Sequence, residues 1–361
     1  MHFRQAPNSG TIRFTSMLTV VALLGFADLS FGAAIVGETR PVVTVPVVAP
    51  GVGDEKAGYQ RPTEIPFPEE NPYTLRKALL GQKLFFDRRL SGSSAQSCAS
   101  CHDPGFAWGD GLPVAVGNGM ASLGRRSPSI VNAAWGAAYM WDGRATTLEQ
   151  QAMGPIQSVV EMNMPIDKLL KRLNSIPEYV ALFSAAFPGE DLTEHTLEEA
   201  LATYERTLVS AQAPFDAWIA GDERAISEEA KRGFDIFNTS GRCASCHEGW
   251  NFTNDGFQDI GIPSADPGRG QLLPQIPKMN HAFKTPGLRE ISNRGPYMHD
   301  GSIKTLEDVV EHYNRGGVER PSRSDLIAPL GLTAQDKLDL VAFLKTLSSS
   351  MVPPTVPVLP R

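Results

Sequence analysis

The chain has four cysteines, and all of them fall in two identical pentapeptides, Cys98-Ala-Ser-Cys101-His102 and Cys243-Ala-Ser-Cys246-His247. Cys-x-x-Cys-His is the attachment signature of a c-type haem. The two thiols add across the vinyl groups, a short turn brings them to adjacent edges of the macrocycle, and the next histidine lies under the iron as its proximal ligand. A four-cysteine zinc site and a thioredoxin-like dithiol also use such pairs. Zinc would not explain a histidine at the same offset in both copies, and the βαβ context of a dithiol is missing. The residues therefore predict two covalently bound c-type haems, attached at Cys98, Cys101, Cys243 and Cys246, with His102 and His247 on the irons.

What each iron can do is set by its other axial position. Two strong protein ligands make an electron carrier, whereas an open face binds peroxide or oxygen. Candidates near the second haem are Met279, His281, Met298, His299, His312 and Tyr313. Tyr313 follows Leu306, Val309 and Val310 on one predicted helix, so by its position alone it reads first as a core tyrosine. His312 lies about 100° round that helix and is expected at the surface.

The elements that must position these groups read as mainly α with long loops. Thr196-x-x-Glu199 predicts a capping box ahead of Leu197, Ala200, Leu201, Tyr204 and Leu208, and Thr333-x-x-Asp336 predicts another. Met164–Phe187 reads as two helices broken around Pro177, and Ser227 as the start of a helix running to the second cysteine pair. The chain also repeats itself. Tyr139-Met140-Trp141-Asp142-Gly143 leads to Thr147-Leu148-Glu149, and Tyr297-Met298-His299-Asp300-Gly301 leads to Thr305-Leu306-Glu307. Ser127-Pro128 precedes one copy and Thr285-Pro286 the other. Two copies with one CASCH each predict two tandem cytochrome c-like domains, at residues 71–220 and 221–350. Residues 34–70 read as an extended N-terminal arm over the body, and 351–361 as a tail.

The formal net charge of −7 gives no basic patch for phosphates, so nucleic acid is not an expected partner. Arg4 and Arg13, the apolar run Met17–Phe26, and the small residues Ser30, Gly32, Ala33 and Ala34 read as a signal peptide over residues 1–33. The run is too short to span a bilayer, so an exported protein with no membrane span after cleavage, placed in the periplasm, is expected.

These motifs resemble the bacterial dihaem cytochrome c peroxidases and, within them, the MauG-like branch. The likeness covers Asn71 to Leu347. It rests on Leu84-Phe85-Phe86-Asp87, both CASCH runs, Trp141-Asp142-Gly143-Arg144-Ala145, Gly154-Pro155-Ile156, Glu161-Met162, Thr285-Pro286-Gly287-Leu288-Arg289 and Pro296-Tyr297-Met298-His299-Asp300-Gly301. The resemblance implies that the haem on His102 is peroxidatic and the haem on His247 transfers electrons. It implies that Trp141 is a relay between them, that Gln151, Pro155 and Glu161 form the distal pocket of the first haem, and that Glu161 is the general acid–base.

Three departures stand out. Asn118 replaces the histidine that caps the first iron in other members, which leaves that iron open unless Met120 substitutes. Tyr313 stands where they carry methionine, as MauG-like proteins do, and a tyrosinate stabilises ferric and higher iron. Arg126 and Arg294 stand where the family has side-chain oxygens for calcium, which makes calcium doubtful and suggests arginines paired with nearby acids.

The reading that follows is a peroxidase that uses H2O2 at the first haem to form a high-valent state and oxidise a side chain of a periplasmic partner protein. One alternative is a cytochrome c peroxidase that reduces H2O2 to water with electrons from a small cytochrome or cupredoxin. The other is a dihaem carrier without catalysis.

Overall fold

Side-chain oxygens start the helices that carry the architecture. The structure, a computed structural model, describes residues 54–350 and 352–361. The expected leader, 1–33, and the first part of the arm, 34–53, lie outside the described residues. In chain order the helices are α1 (Asp54–Ala57), α2 (Leu75–Phe86), α3 (Cys98–Cys101), α4 (Leu148–Gln157), α5 (Ile166–Asn174), α6 (Pro177–Ala186), α7 (Glu194–Arg206), α8 (Pro214–Ile219), α9 (Glu228–Asn238), α10 (Leu306–Arg315) and α11 (Ala334–Lys345). One antiparallel pair joins β1 (Phe257–Gln258) to β2 (Phe283–Lys284). The mainly α class holds.

Thr74, Thr147, Ser227 and Thr305 each accept a hydrogen bond from the N–H three residues on, satisfying one of the donors that a helix leaves free at its start. Thr333 and Asp336 form the expected reciprocal box. Pro177 opens α6, which explains the break read there. The box read at Thr196 is displaced. The cap is Thr193, whose Oγ1 accepts from the Thr196 N–H at 3.2 Å while Thr196 Oγ1 accepts from the Thr193 N–H at 3.0 Å. Helix α7 thus begins one turn earlier than expected.

Two apolar cores form. One gathers residues between Leu80 and Leu208, including Leu84, Phe85, Trp108, Ile156, Phe183 and Leu197. The other gathers Tyr59 and residues 215–347, including Phe234, Phe237, Phe252 and Phe343. Helix α8 belongs to the second core through Phe215, Trp218 and Ile219. The arm is not wholly extended. It carries α1, and Tyr59 packs its ring against Phe215, Phe234 and Phe252. The tail returns to the first half, where Val358 O accepts from Lys83 Nζ and Pro360 O from Arg89 Nη2.

Each core is organised by one close helix crossing. Helix α2 lies on α7 and α9 lies on α11. At Gly81 an added Cβ would meet Ala200 O at 1.9 Å and Tyr204 Cβ at 2.8 Å. At Gly233 it would meet Asp339 O at 2.0 Å and Phe343 Cβ at 2.7 Å. The same contact is made twice, backbone against backbone, where no side chain fits. From each crossing the chain hands on a fixed point. The Asn132 N–H donates to Leu208 O just past α7, and the Glu290 N–H donates to Leu347 O just past α11. The repeated Tyr-Met-x-Asp-Gly loops follow, closed by Tyr139 N–H to Ala145 O and by Tyr297 N–H to Ile303 O. Met140 (φ 67°) and Met298 (φ 74°) both adopt the left-handed conformation in these loops.

Gly81→Ala and Gly233→Ala should each destabilise the protein by about 3 kcal/mol or more, because helices must separate to admit a methyl group. Gly58→Ala, where nothing lies within 4 Å of the added atom, should stay within about 0.5 kcal/mol. Thermal melts of the three variants check this.

Candidate functional site

Each CASCH run is a tight turn that presents two sulfurs and one imidazole to a cavity. In the first, α3 is a single turn capped by Ser97 and Ser100, and His102 Nδ1 lies 3.2 Å from Trp108 O. In the second, His247 Nδ1 lies 2.9 Å from Phe252 O. An N–H donated to a carbonyl fixes Nδ1 as the protonated nitrogen and leaves the lone pair on Nε2 for a metal. Burial pushes both imidazoles toward the neutral form, His247 down to about 4. Burial pushes all four thiols up, Cys243 to about 12. The surroundings therefore suit bonded sulfur and neutral imidazole rather than free ions.

The first cavity, about 540 Å³, is walled by Cys98, Cys101, His102, Trp141, Gln151, Pro155 and Glu161, among others. The second, about 190 Å³, is walled by Cys243, Cys246, His247, Trp141, Met298 and Tyr313, among others. The two cysteine pairs, His102, His247, Gln151, Pro155, Glu161 and Tyr313 thus come together at two places, and Trp141 borders both.

Helices α4 and α10 are the repeated pair that closes these cavities. Both have ten residues, both follow a threonine cap, and both begin Leu-Glu. The eighth residue of each faces a cavity: Pro155 in one, Tyr313 in the other. Proline has no side-chain donor atom and breaks the α4 ladder opposite Gln151. The loop after α4 folds back through Met162 N–H to Pro155 O (3.1 Å) and Gly92 N–H to Met162 O (2.8 Å), which puts Glu161 on the same wall. Gln151 Nε2 lies 3.9 Å from Met140 Sδ. Tyr313 is half-buried on the second cavity, and desolvation pushes its phenol up, so it keeps its proton unless a cation stands beside it.

Trp141 is fixed from both halves. Its Nε1–H donates to Arg126 O at 2.8 Å, and its carbonyl accepts from the Lys284 N–H at 2.8 Å. His299 occupies the matching place in the second loop, edge-on to Trp141 at 6.5 Å and stacked on Phe283 at 3.7 Å. Arg125 ties the loops together through Asp142 (2.7 Å) and a bidentate contact with Asp266 (2.6 and 2.9 Å).

Several expectations are corrected. Met279 and His312 do not wall the second cavity, whereas His281, Met298, His299 and Tyr313 do. His312 is half-buried rather than on the surface, with Nε2 2.9 Å from Ile260 O. Met120 is 82% exposed and does not line the first cavity, so it is no substitute cap. Asn118 is held away by the Val160 carbonyl, which accepts its N–H at 2.9 Å. Arg126 and Arg294 form no ion pair with acids among the described residues. Arg294 Nη1 instead donates to Gly287 O and Arg289 O.

Sequence reasoning missed Arg125 and also Glu205, a buried carboxyl on the first cavity whose pKa is pushed up to about 8 by desolvation. Glu205 follows Leu201 by one helical turn, so a charge in the apolar stripe of α7 was the available signal.

Residues 75–224 match the family described as di-haem cytochrome c peroxidase, and residues 230–348 match cytochrome c. The chain is 49% identical to the methylamine utilization protein MauG of Methylorubrum extorquens over 84% of this chain and 87% of that one. It is 35% identical to the cytochrome c551 peroxidase of Pseudomonas aeruginosa over 82% of this chain and 87% of that one. A crystal structure of a MauG-like protein associated with microbial copper homeostasis superposes with a TM-score of 0.75 at 29% identity, covering 83% of this chain and 96% of the other. With thiol pairs and neutral imidazoles in place at both cavities, the chain carries two c-type haems.

The Arg125 bridge makes stability depend on pH. Asp142 and Asp266 have their pKa values lowered below the usual carboxylate value, against the desolvation that opposes this, by hydrogen bonds and attraction to Arg125. Their contribution is present above the unfolded value of about 4 and is lost as pH falls through the lower folded values. Arg125→Gln should therefore cost roughly 1–3 kcal/mol near pH 7. The gap to wild type should narrow below about pH 4, read by thermal melts across pH.

Proposed function

The chain belongs to the di-haem cytochrome c peroxidase family and is a MauG-like dihaem peroxidase, and on that premise we propose that it uses hydrogen peroxide at the first cavity to oxidise a tryptophan or tyrosine side chain of a partner protein in the periplasm. The observation that carries this reading is the divergence at one helix position. Pro155 offers no donor atom to the first cavity, and Tyr313 offers a phenol oxygen to the second.

When bound, the haems supply irons that take peroxide and hold the oxidising equivalents it releases. The rest is the work of side chains. Glu161 takes the proton from the inner oxygen of peroxide and hands it to the outer oxygen, which leaves as water when the O–O bond breaks. General acid–base help of this kind contributes about 10²–10⁴-fold. Gln151 orients the peroxide with its amide, and the missing donor at Pro155 keeps the face open. Trp141 passes electrons between the cavities, its ring held by the hydrogen bond to Arg126 O. Tyr313 would hold the second iron as tyrosinate, a hard anion that would favour oxidised iron. That makes rapid acceptance of electrons from a small cytochrome difficult, which is why a protein side chain is the preferred reductant. The basic, apolar and small-residue pattern of residues 1–33 is the support for export.

Low-temperature EPR of the ferric holoprotein, before and after stoichiometric H2O2, tests this. One high-spin and one low-spin signal, both lost on adding peroxide, are expected. Tyr313→Phe should alter the low-spin signal alone, with both haems still attached. Two low-spin signals indifferent to peroxide would overturn the reading in favour of an electron carrier. Fast steady-state turnover with reduced cytochrome c would favour the water-forming peroxidase instead. Glu161→Gln should slow the peroxide reaction about 10²-fold or more in stopped flow, at unchanged haem content.

A further inference from the structure

Two guanidinium groups, Arg126 buried and Arg294 half-buried, stand on the first cavity with no carboxylate paired to either among the described residues. Arg126 is 7% exposed and lines the cavity. Its Nε is buried with no hydrogen-bond partner, and no carboxylate lies within ion-pair distance among the described residues. Arg294 lines the same cavity, with one nitrogen engaged by the Gly287 and Arg289 carbonyls. Each guanidinium is destabilised by burial, and Arg294 is further penalised by the positive charge of Arg126.

The acids that act on them are committed elsewhere or stand apart. Glu290 accepts from the Ser349 N–H (3.0 Å), Ser349 Oγ (2.6 Å) and Asn293 Nδ2 (3.2 Å). Asp110 accepts from the Leu112 N–H through Oδ1, and its buried Oδ2 touches no donor. Other arginines of the cavity wall have an acid within ion-pair distance: half-buried Arg125 holds Asp142 and Asp266, and buried Arg289, though its Nη atoms lack hydrogen-bond partners, stands 2.8 Å from Asp216. Two like charges lining one cavity are costly after desolvation unless an anion enters. The cavity is also the seat of a cofactor whose periphery carries two carboxylates.

We propose that Arg126 and Arg294 form a cationic clamp for a propionate carboxylate of the first haem, so that the cofactor supplies the anion that the polypeptide omits. A guanidinium meets a carboxylate through paired N–H donors, and two of them can share one propionate. The clamp fixes the haem about its covalent edge. With the haem bound, it would also add positive charge to the first cavity, which would disfavour the ferric state.

The test uses the holoprotein, in which thioether bonds retain the haem whatever happens to its carboxylates. Arg126→Gln, Arg294→Gln, the double variant and the two Lys variants are compared by spectroelectrochemistry and by the propionate bending band in resonance Raman. Each Gln variant should lower the midpoint potential of the first haem and shift the band. The double variant should lower it further, and Lys should restore most of the potential. Gln variants with wild-type potential and an unmoved band would overturn the clamp, as would a Gln variant that melts higher than wild type with no spectral change. If the Gln variants fail to accumulate, the Lys variants decide through the Raman band, which must shift when a fork is replaced by a point charge. None of these readouts depends on which substrate the enzyme oxidises.

Discussion

The helix crossings at Gly81 and Gly233 govern the rest of the molecule. Each lets one helix backbone rest on the carbonyl of another, Ala200 in the first half and Asp339 in the second. The partner helix then ends at a set place, and the carbonyls just past it, Leu208 O and Leu347 O, anchor the loops that begin at Asn132 and Glu290. Those loops hold Trp141 and His299, and they deliver the threonine caps of α4 and α10. The eighth residue of each capped helix then faces a cavity. A methyl group at either crossing would move the anchor, the loop and the helix together. The chemistry is thus tied to packing many residues away, in both copies.

Interior charge follows a different logic from interior packing. Asp87 is met by Arg89 and Tyr179, Glu149 by Arg206, Asp259 by Arg320 and Ser322, and Asp216 by Arg61 and Arg289. Such networks are costly to break and gain little over apolar packing, so their value lies in fixing geometry. Around the cavities the pattern changes. Glu205 is buried without a partner on one oxygen, and Arg126 without a partner on Nε. Unpaired groups of both signs at one cavity belong to a polypeptide whose polar interior is completed by something other than itself.

What could be read from the sequence was whatever chemistry or local geometry ties to residue type at fixed spacing. The two CASCH runs, the repeated Tyr-Met-x-Asp-Gly loops and the caps at Ser227 and Thr333 are of this kind. The cap at Thr193 was missed because Thr193 and Thr196 carry the same side chain, and which one is the cap depends on where the preceding chain turns. Non-local features were not legible. Gly81 and Gly233 look like weak points of helices until α7 and α11 lie across them. His312 looked solvent-facing from its helix phase alone, but Ile260, 52 residues earlier, covers it. Met120 stood near the first haem motif in sequence, yet its loop turns it outward. Arg125 gave no signal because its partners, Asp142 and Asp266, are distant in sequence and on separate loops.

The duplication also explains how one architecture could give two unlike haem environments with few changes. Pro155 and Tyr313 stand at one helix position, as Trp141 and His299 stand at one loop position. Proline leaves its side of the cavity without a ligand and, by removing an N–H, loosens the α4 ladder where Gln151 must face inward. Tyrosine at the same place is half-buried, and desolvation keeps its phenol uncharged unless a cation is present. The indole of Trp141 borders both cavities, whereas His299 borders only the second. Asymmetry at two equivalent positions thus gives one cavity a proline wall and the other a phenol, with the Trp141 indole bordering both. Neither change disturbs the crossings, caps or anchors that the two halves share.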